Sequence, residues 1–204
     1  LHKAIRRQRQ MCIRDRMQSY ITLESKGVDL WNMSQNGQRW EVFRLSNIAH
    51  NTLTINGERH LVESNAPITR TFESKKQKGA EVDLSTVFAN SVKKAVRTVI
   101  LDQKDHLEVI DRLETRDKEA TVSWIMVTPA EAKITGKNRI ELTKDGQRML
   151  LTADTGTEVE MKIWSNVPPH EYDFRNPGTI RVGFETVIPA NRASQLKVRF
   201  IPLK

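Results

Sequence analysis

Two dipeptides constrain this chain more than anything else in it: Asn56-Gly57 and Asp145-Gly146. Both residues of a tight two-residue hairpin loop need φ > 0, which Asn-Gly and Asp-Gly tolerate and most other pairs do not. Each dipeptide lies between stretches where apolar and polar residues alternate with period 2, as in a strand with one buried face. Before the first, His50, Thr52 and Thr54 fall on one face, and Asn51, Leu53 and Ile55 on the other. Around the second, 139–143 and 147–152 read as paired strands.

The same cadence continues along the chain. Residues 20–25, 39–45, 50–56, 58–64, 94–101, 106–114, 120–128, 157–164, 179–188 and 195–201 alternate or are rich in β-formers, with Gly, Asn, Ser and Pro between them. Turn signals every roughly 8–12 residues are the rhythm of an all-β domain. The expected fold is therefore all-β, a large antiparallel two-layer β-sandwich. Only 83–89 reads as a short helix, and 71–78, with Lys75, Lys76 and Lys78, reads as a mobile surface loop.

The formal net charge of +8 over 204 residues invites a nucleic-acid reading, but its distribution argues against one. Residues 1–16 hold six Lys/Arg and one Asp, whereas the other 188 carry 27 Lys/Arg against 24 Asp/Glu. Later charges alternate in sign, as on a solvated face. The expectation is no nucleic-acid partner and no membrane, since no apolar run approaches the roughly 18–20 residues of a spanning helix. Residues 1–16 read differently from the rest. Met11-Cys12-Ile13-Arg14-Asp15-Arg16 looks like a translated sequencing adapter, with a disordered basic arm as the other reading, so the domain is placed at 17–204. The one cysteine, Cys12, lies in that segment, so no disulfide framework is expected.

The candidate chemistry centres on His50. A two-residue loop at Asn56-Gly57 would pair Ile55 with Glu58 and bring His50 opposite Glu63, a carboxylate placed to orient a metal-ligating imidazole or to tune its charge. An ordinary surface pair is the other reading. His60 falls across from Leu53, His106 opens a strand, and His170 follows Pro168-Pro169; none has a second His or Cys at ligand spacing. Walker, G-x-S-x-G and G-x-G-x-x-G motifs are absent, which removes nucleotide and serine-nucleophile chemistries. Tyr20, Trp31 and Trp40 suit either a glycan surface or a core edge.

The run from Met17-Gln18-Ser19-Tyr20 through Leu30-Trp31 and Gln38-Arg39-Trp40 to Phe43-Arg44, followed by His50-Asn51-Thr52-Leu53, resembles the heparinase II/III family of polysaccharide lyases. The closing stretch from Asn176-Pro177-Gly178 to Val198-Arg199-Phe200-Ile201-Pro202 resembles the end of that family's β domain. The resemblance implies a helical toroid packed on a C-terminal antiparallel sandwich, and β-elimination of uronic-acid-containing acidic polysaccharides in the periplasm or outside the cell. It implies that the toroid supplies a Tyr and an Asn or His. The β domain supplies a His-x-His pair, an Asp and the His of His-Asn-Thr, three of which hold zinc. Only His50 matches, as the last zinc ligand, with Glu63 beside it. Asp15, with Arg16 before Met17-Gln18, lacks the family's Gly and is not assigned. The expectation is thus the β domain of a lyase, N-terminally truncated. It would have no catalytic residues of its own, and zinc would be held by the intact parent rather than by this chain. The other reading is a non-catalytic glycan-binding or structural sandwich.

Overall fold

The computed structural model describes residues 20–203, so the basic segment 1–16 lies outside the described residues. Among the described residues, twelve strands form two antiparallel sheets. They are β1 (Leu53–Ile55), β2 (Ile68–Glu73), β3 (Gln77–Asp83), β4 (Val92–Asp102), β5 (Leu107–Thr115), β6 (Ala120–Thr128), β7 (Glu131–Gly136), β8 (Arg139–Lys144), β9 (Gln147–Asp154), β10 (Glu160–Ser165), β11 (Ile180–Ile188) and β12 (Ala193–Leu203). The narrow sheet has the order β1-β6-β11-β10, and the wide one the order β2-β3-β4-β5-β12-β9-β8-β7. This is the expected two-layer sandwich.

The layers are held by apolar side chains that alternate inward. Leu53, Trp124, Val182 and Phe184 of the narrow sheet share one core with Val109, Leu151, Leu196, Val198 and Phe200 of the wide one. Trp124 stacks on Phe184 within its sheet at 6.1 Å and reaches Phe200 of the other sheet at 6.2 Å. Gly183 faces the backbone of β6 so closely that an added Cβ would sit 1.8 Å from the carbonyl oxygen of Trp124. The strand pair can close only on a residue without a side chain.

One polar cluster crosses the apolar layer. Asp111 on β5 is 1% exposed, and its carboxylate accepts two bonds from Arg97 on β4, at 2.7 and 2.9 Å. The indole N–H of Trp124, on the opposite sheet, donates to the same carboxylate at 3.2 Å. Arg97 also donates to the backbone carbonyl of Asn51 at 3.2 Å, which ties the approach to β1 to the wide sheet. The charge is buried but paired and bonded on both oxygens, the condition under which burial is tolerated.

Several expectations are corrected at the N-terminal side. Tyr20–Ser25 is not a strand but a helix, α1, which buries Leu23. Gly27 at φ 80° ends it: its N–H bonds Glu24, and the N–H of Val28 bonds Leu23, the paired C-terminal cap that glycine favours. Residues 39–45 form 3-10 turns at Gln38–Glu41 and Phe43–Leu45, with a third at Asn47–Ala49. Leu23, Val28, Leu30 and Val42 make a small second core, against which Leu45 and Tyr172 pack.

The Asn56-Gly57 turn forms as expected, with φ 55° and 69° and Glu58 N–H donating to Ile55. The hairpin does not. β1 is three residues long and pairs with β6, Leu53 opposite Trp124, while Asn56 exchanges bonds with Thr121 and 58–64 stays irregular. The cross-strand juxtaposition of His50 and Glu63 therefore does not form. Residues 71–78 are no loop but part of a β2–β3 hairpin whose tip carries Lys75 and Lys76, and 83–89 runs from the end of β3 into turns rather than a helix. The edge strand β7 had no clear signal in the sequence.

Replacing Asp111 by Ala strands Arg97 in the core and frees the Trp124 indole N–H. The expected loss is about 3–5 kcal/mol, read as a lower urea midpoint at unchanged slope.

Candidate functional site

His50 lies where the third 3-10 turn gives way to the approach to β1. Its surroundings are fixed by long side chains from distant strands. Arg181 on β11 donates to the carbonyl of Ile48 at 3.1 Å, and Arg97 to that of Asn51. The side chain of Asn51 accepts from Val127 N–H at 2.8 Å, continuing the β6 edge past the end of the short strand β1. Phe43 N–H donates to the buried carboxylate of Asp173 at 2.9 Å, and Arg44 donates to the side-chain oxygen of Asn176. The peptide that carries His50 is thus clamped on both sides.

The ring itself is exposed, and its Nε2 lies 2.9 Å from the carbonyl oxygen of Arg44. A carbonyl only accepts, so Nε2 carries the proton and Nδ1 carries the lone pair. In the neutral ring this backbone partner on Nε2 leaves Nδ1 as the nitrogen that could meet a metal. The exposed ring thus offers one donor nitrogen, which a metal ion could use only together with other ligands. Among the described residues no group of three His, Cys, Asp or Glu is placed to hold a metal ion.

His50 borders a cleft of about 410 Å³ whose walls include Trp40, Asn47, Arg59, His60 and Asn65. Arg59 stands loosely against Glu41, 3.8 Å away. Asn47 is buried and donates to Thr54 Oγ1 and to the Glu58 carbonyl, which is why Thr54 is buried rather than on a solvent face. His60 does reach Leu53, as the sequence spacing suggests, but through its side chain: Nε2 lies 3.1 Å from the Leu53 carbonyl, with the ring edge-on to Phe88 at 4.9 Å. Burial pushes the His60 imidazole below its ordinary value, the bond to Leu53 opposes this, and the nearby charges of His50 and Arg97 add to the lowering.

Of the residues singled out from sequence, the structure places His50, His60 and Trp40 along one cleft. Glu63 is exposed on an irregular segment and has no ladder pairing to His50, so the geometry that motivated it is absent. His106 lies elsewhere, beside Asp102 at 3.2 Å, and His170 stacks on Tyr172. The clamping residues Arg97, Asp111, Asp173 and Arg181 gave no sequence signal beyond being charged residues within or near apolar stretches.

The lowered His60 has a defined consequence for stability. The unfolded chain takes up the proton near pH 6.5 while the fold resists it, so stability is full above pH 6.5 and falls as pH drops toward the folded value. The melting temperature is expected to decline between pH 7.5 and 5.5, and His60→Gln is expected to flatten that decline when the two proteins are melted side by side.

The chain has the fold of solved lyases. It superposes on heparinase III with a TM-score of 0.62 at 14% identity, covering 81% of this chain and 25% of that one. It superposes on the heparan sulfate lyase HepC from Pedobacter heparinus with a TM-score of 0.57 at 16% identity, covering 82% and 25%. It thus spans about a quarter of the length of these structures. No curated protein matches it. The family model described as "Heparinase II/III-like, C-terminal" matches residues 20–198, and the chain belongs to that family.

Proposed function

We propose that this chain is the β domain of a polysaccharide lyase that cleaves uronic-acid-containing polysaccharides by β-elimination, and that it contributes one wall of the cleft. The observation that carries the reading is His50, held at the cleft with Nδ1 free of its backbone anchor. In this proposal the elimination removes the C5 proton of the uronate and expels the glycosidic oxygen, which leaves with a proton. Arg59 is suited to hold the uronate carboxylate at the rim, where its loose pairing with Glu41 can be exchanged for a ligand. The acid and base would come from a helical domain outside the matched 20–198 region.

Zinc, in this reading, would be structural, held by His50 together with two ligands that are not among the described residues. It would lock the His50 loop against the incoming segment. Glu63 would act only if the 58–64 segment moved toward the imidazole. The intact protein would work in the periplasm or outside the cell, where polymeric acidic glycans are met. Among the described residues no helix is long and apolar enough to cross a membrane. The competing reading, a glycan-binding module without chemistry, draws on the exposed rings of Tyr20 and Trp31.

Three outcomes are expected. Incubated with heparan sulfate or alginate, the purified chain should release no unsaturated uronate, followed by its ultraviolet absorbance; product formation would place the acid and base in this domain. Zinc competition against a chromogenic chelator should show no tight site in this chain, since His50 would be one ligand of three; tight binding lost in His50→Ala would show that the chain completes the site itself. Genomic sequence upstream of Met17 should encode a helical domain and a His-x-His pair, and an unrelated upstream frame would sink the lyase reading.

A further inference from the structure

One group of aromatic side chains reaches from open surface to the rim of the cleft. The indole of Trp31 is 62% exposed yet not free to rotate, because its N–H is bonded to the carboxylate of Glu24. Tyr20, also exposed, meets it edge-on with ring centres 5.9 Å apart. Arg39 lies over Tyr20 at 5.8 Å and over Trp40 at 5.4 Å. Trp40 is pinned by its own indole bond to the Ser34 carbonyl and lines the cleft that His50 borders. Trp31, Tyr20, Arg39 and Trp40 therefore form a continuous run of flat groups leading from open surface to the cleft.

Two features set this run apart from ordinary surface aromatics. Hydrogen bonds hold its two tryptophan rings in place, so a ligand that stacks on them loses little side-chain entropy to them. The guanidinium within it also lacks a counter-charge. Arg39 donates one bond, to the Leu30 carbonyl at 2.9 Å, its Nε is buried without a partner, and no carboxylate pairs with it among the described residues. A cation between two rings with no carboxylate paired to it is a place for an anionic group, the Glu24 carboxylate of the same run being engaged by the Trp31 indole N–H.

The geometry points to this run as a binding track for an acidic oligosaccharide, which feeds the chain into the His50 cleft. Pyranose faces stack on Trp31, Tyr20 and Trp40, and a uronate carboxylate or sulfate pairs with Arg39 and then with Arg59 in the cleft. The inference rests on the reading of the cleft as part of an acidic-polysaccharide lyase. It adds where the polymer lies before it reaches the reacting bond.

The test is calorimetric titration of the full chain with a heparan sulfate tetrasaccharide, with maltotetraose as the neutral control of equal length. The wild type should bind the acidic sugar and not the neutral one. Trp31→Ala should weaken binding at least tenfold with an unchanged melting curve, since the ring is exposed. Arg39→Gln should weaken it similarly and reduce its salt dependence. Equal affinity in Trp31→Ala, equal binding of maltotetraose, or no binding by the wild type would each overturn the track. If Arg59→Gln alone abolishes binding while Trp31→Ala and Arg39→Gln bind as wild type, the ligand sits only in the cleft. The track is then wrong, and the lyase reading stands untouched.

Discussion

The carboxylate of Asp111 is the point on which the rest of the molecule turns. It is nearly inaccessible, yet it accepts from Arg97 on a neighbouring strand and from Trp124 across the sandwich. An unpaired carboxylate there would cost several kcal/mol, so the three groups are obliged to arrive together. That obligation fixes the separation and offset of the two sheets more specifically than Leu, Val and Ile contacts, which tolerate sliding. The remaining hydrogen bond of Arg97, to Asn51, carries the same constraint out of the core to the peptide beside His50.

The cleft exists because the narrow sheet ends early. β1 pairs for only three residues, and the chain on either side of it is irregular. Irregular backbone has carbonyls and amides to satisfy, and here side chains do it: Arg181 for Ile48, Arg97 for Asn51, Asp173 for Phe43, Asn47 for Glu58. A region built this way presents polar side chains to a groove while its backbone stays fixed. Function is found disproportionately on such loops positioned by a rigid scaffold.

The body of the sandwich was legible because period-2 alternation and turn chemistry are local. Ala120–Thr128, the Asp145-Gly146 hairpin and the closing strands lie where the pattern puts them. The first sixty residues were not, for the opposite reason. Asn56-Gly57 specified its own dihedrals correctly but could not specify that β1 would prefer Trp124 to the segment after the turn. Tyr20–Ser25 alternates over too few residues to separate strand from helix; the decisive sign was Gly27, placed for a helix cap. The 71–78 segment looked like a loop because of its lysines, but only Lys75 and Lys76 occupy the tip of the edge hairpin, and Lys78 lies within β3 opposite Glu73. His50 and its family motif were visible in the residues. The arginines and acids that orient it were not, since each comes from a strand or loop far away in sequence.

That distance has a consequence for how the protein comes into being. The bonds that hold the 43–48 stretch reach Asp173, Asn176 and Arg181, partners 130, 132 and 133 positions apart in sequence. A chain emerging from the ribosome exposes His50 long before any of these anchors exists. The wide sheet can begin to zip through its short-range hairpins, but loop closure of this length comes late. The groove around His50 is therefore assembled only after β11 is made, so a nascent or C-terminally clipped chain holds the histidine without the geometry that gives it a purpose.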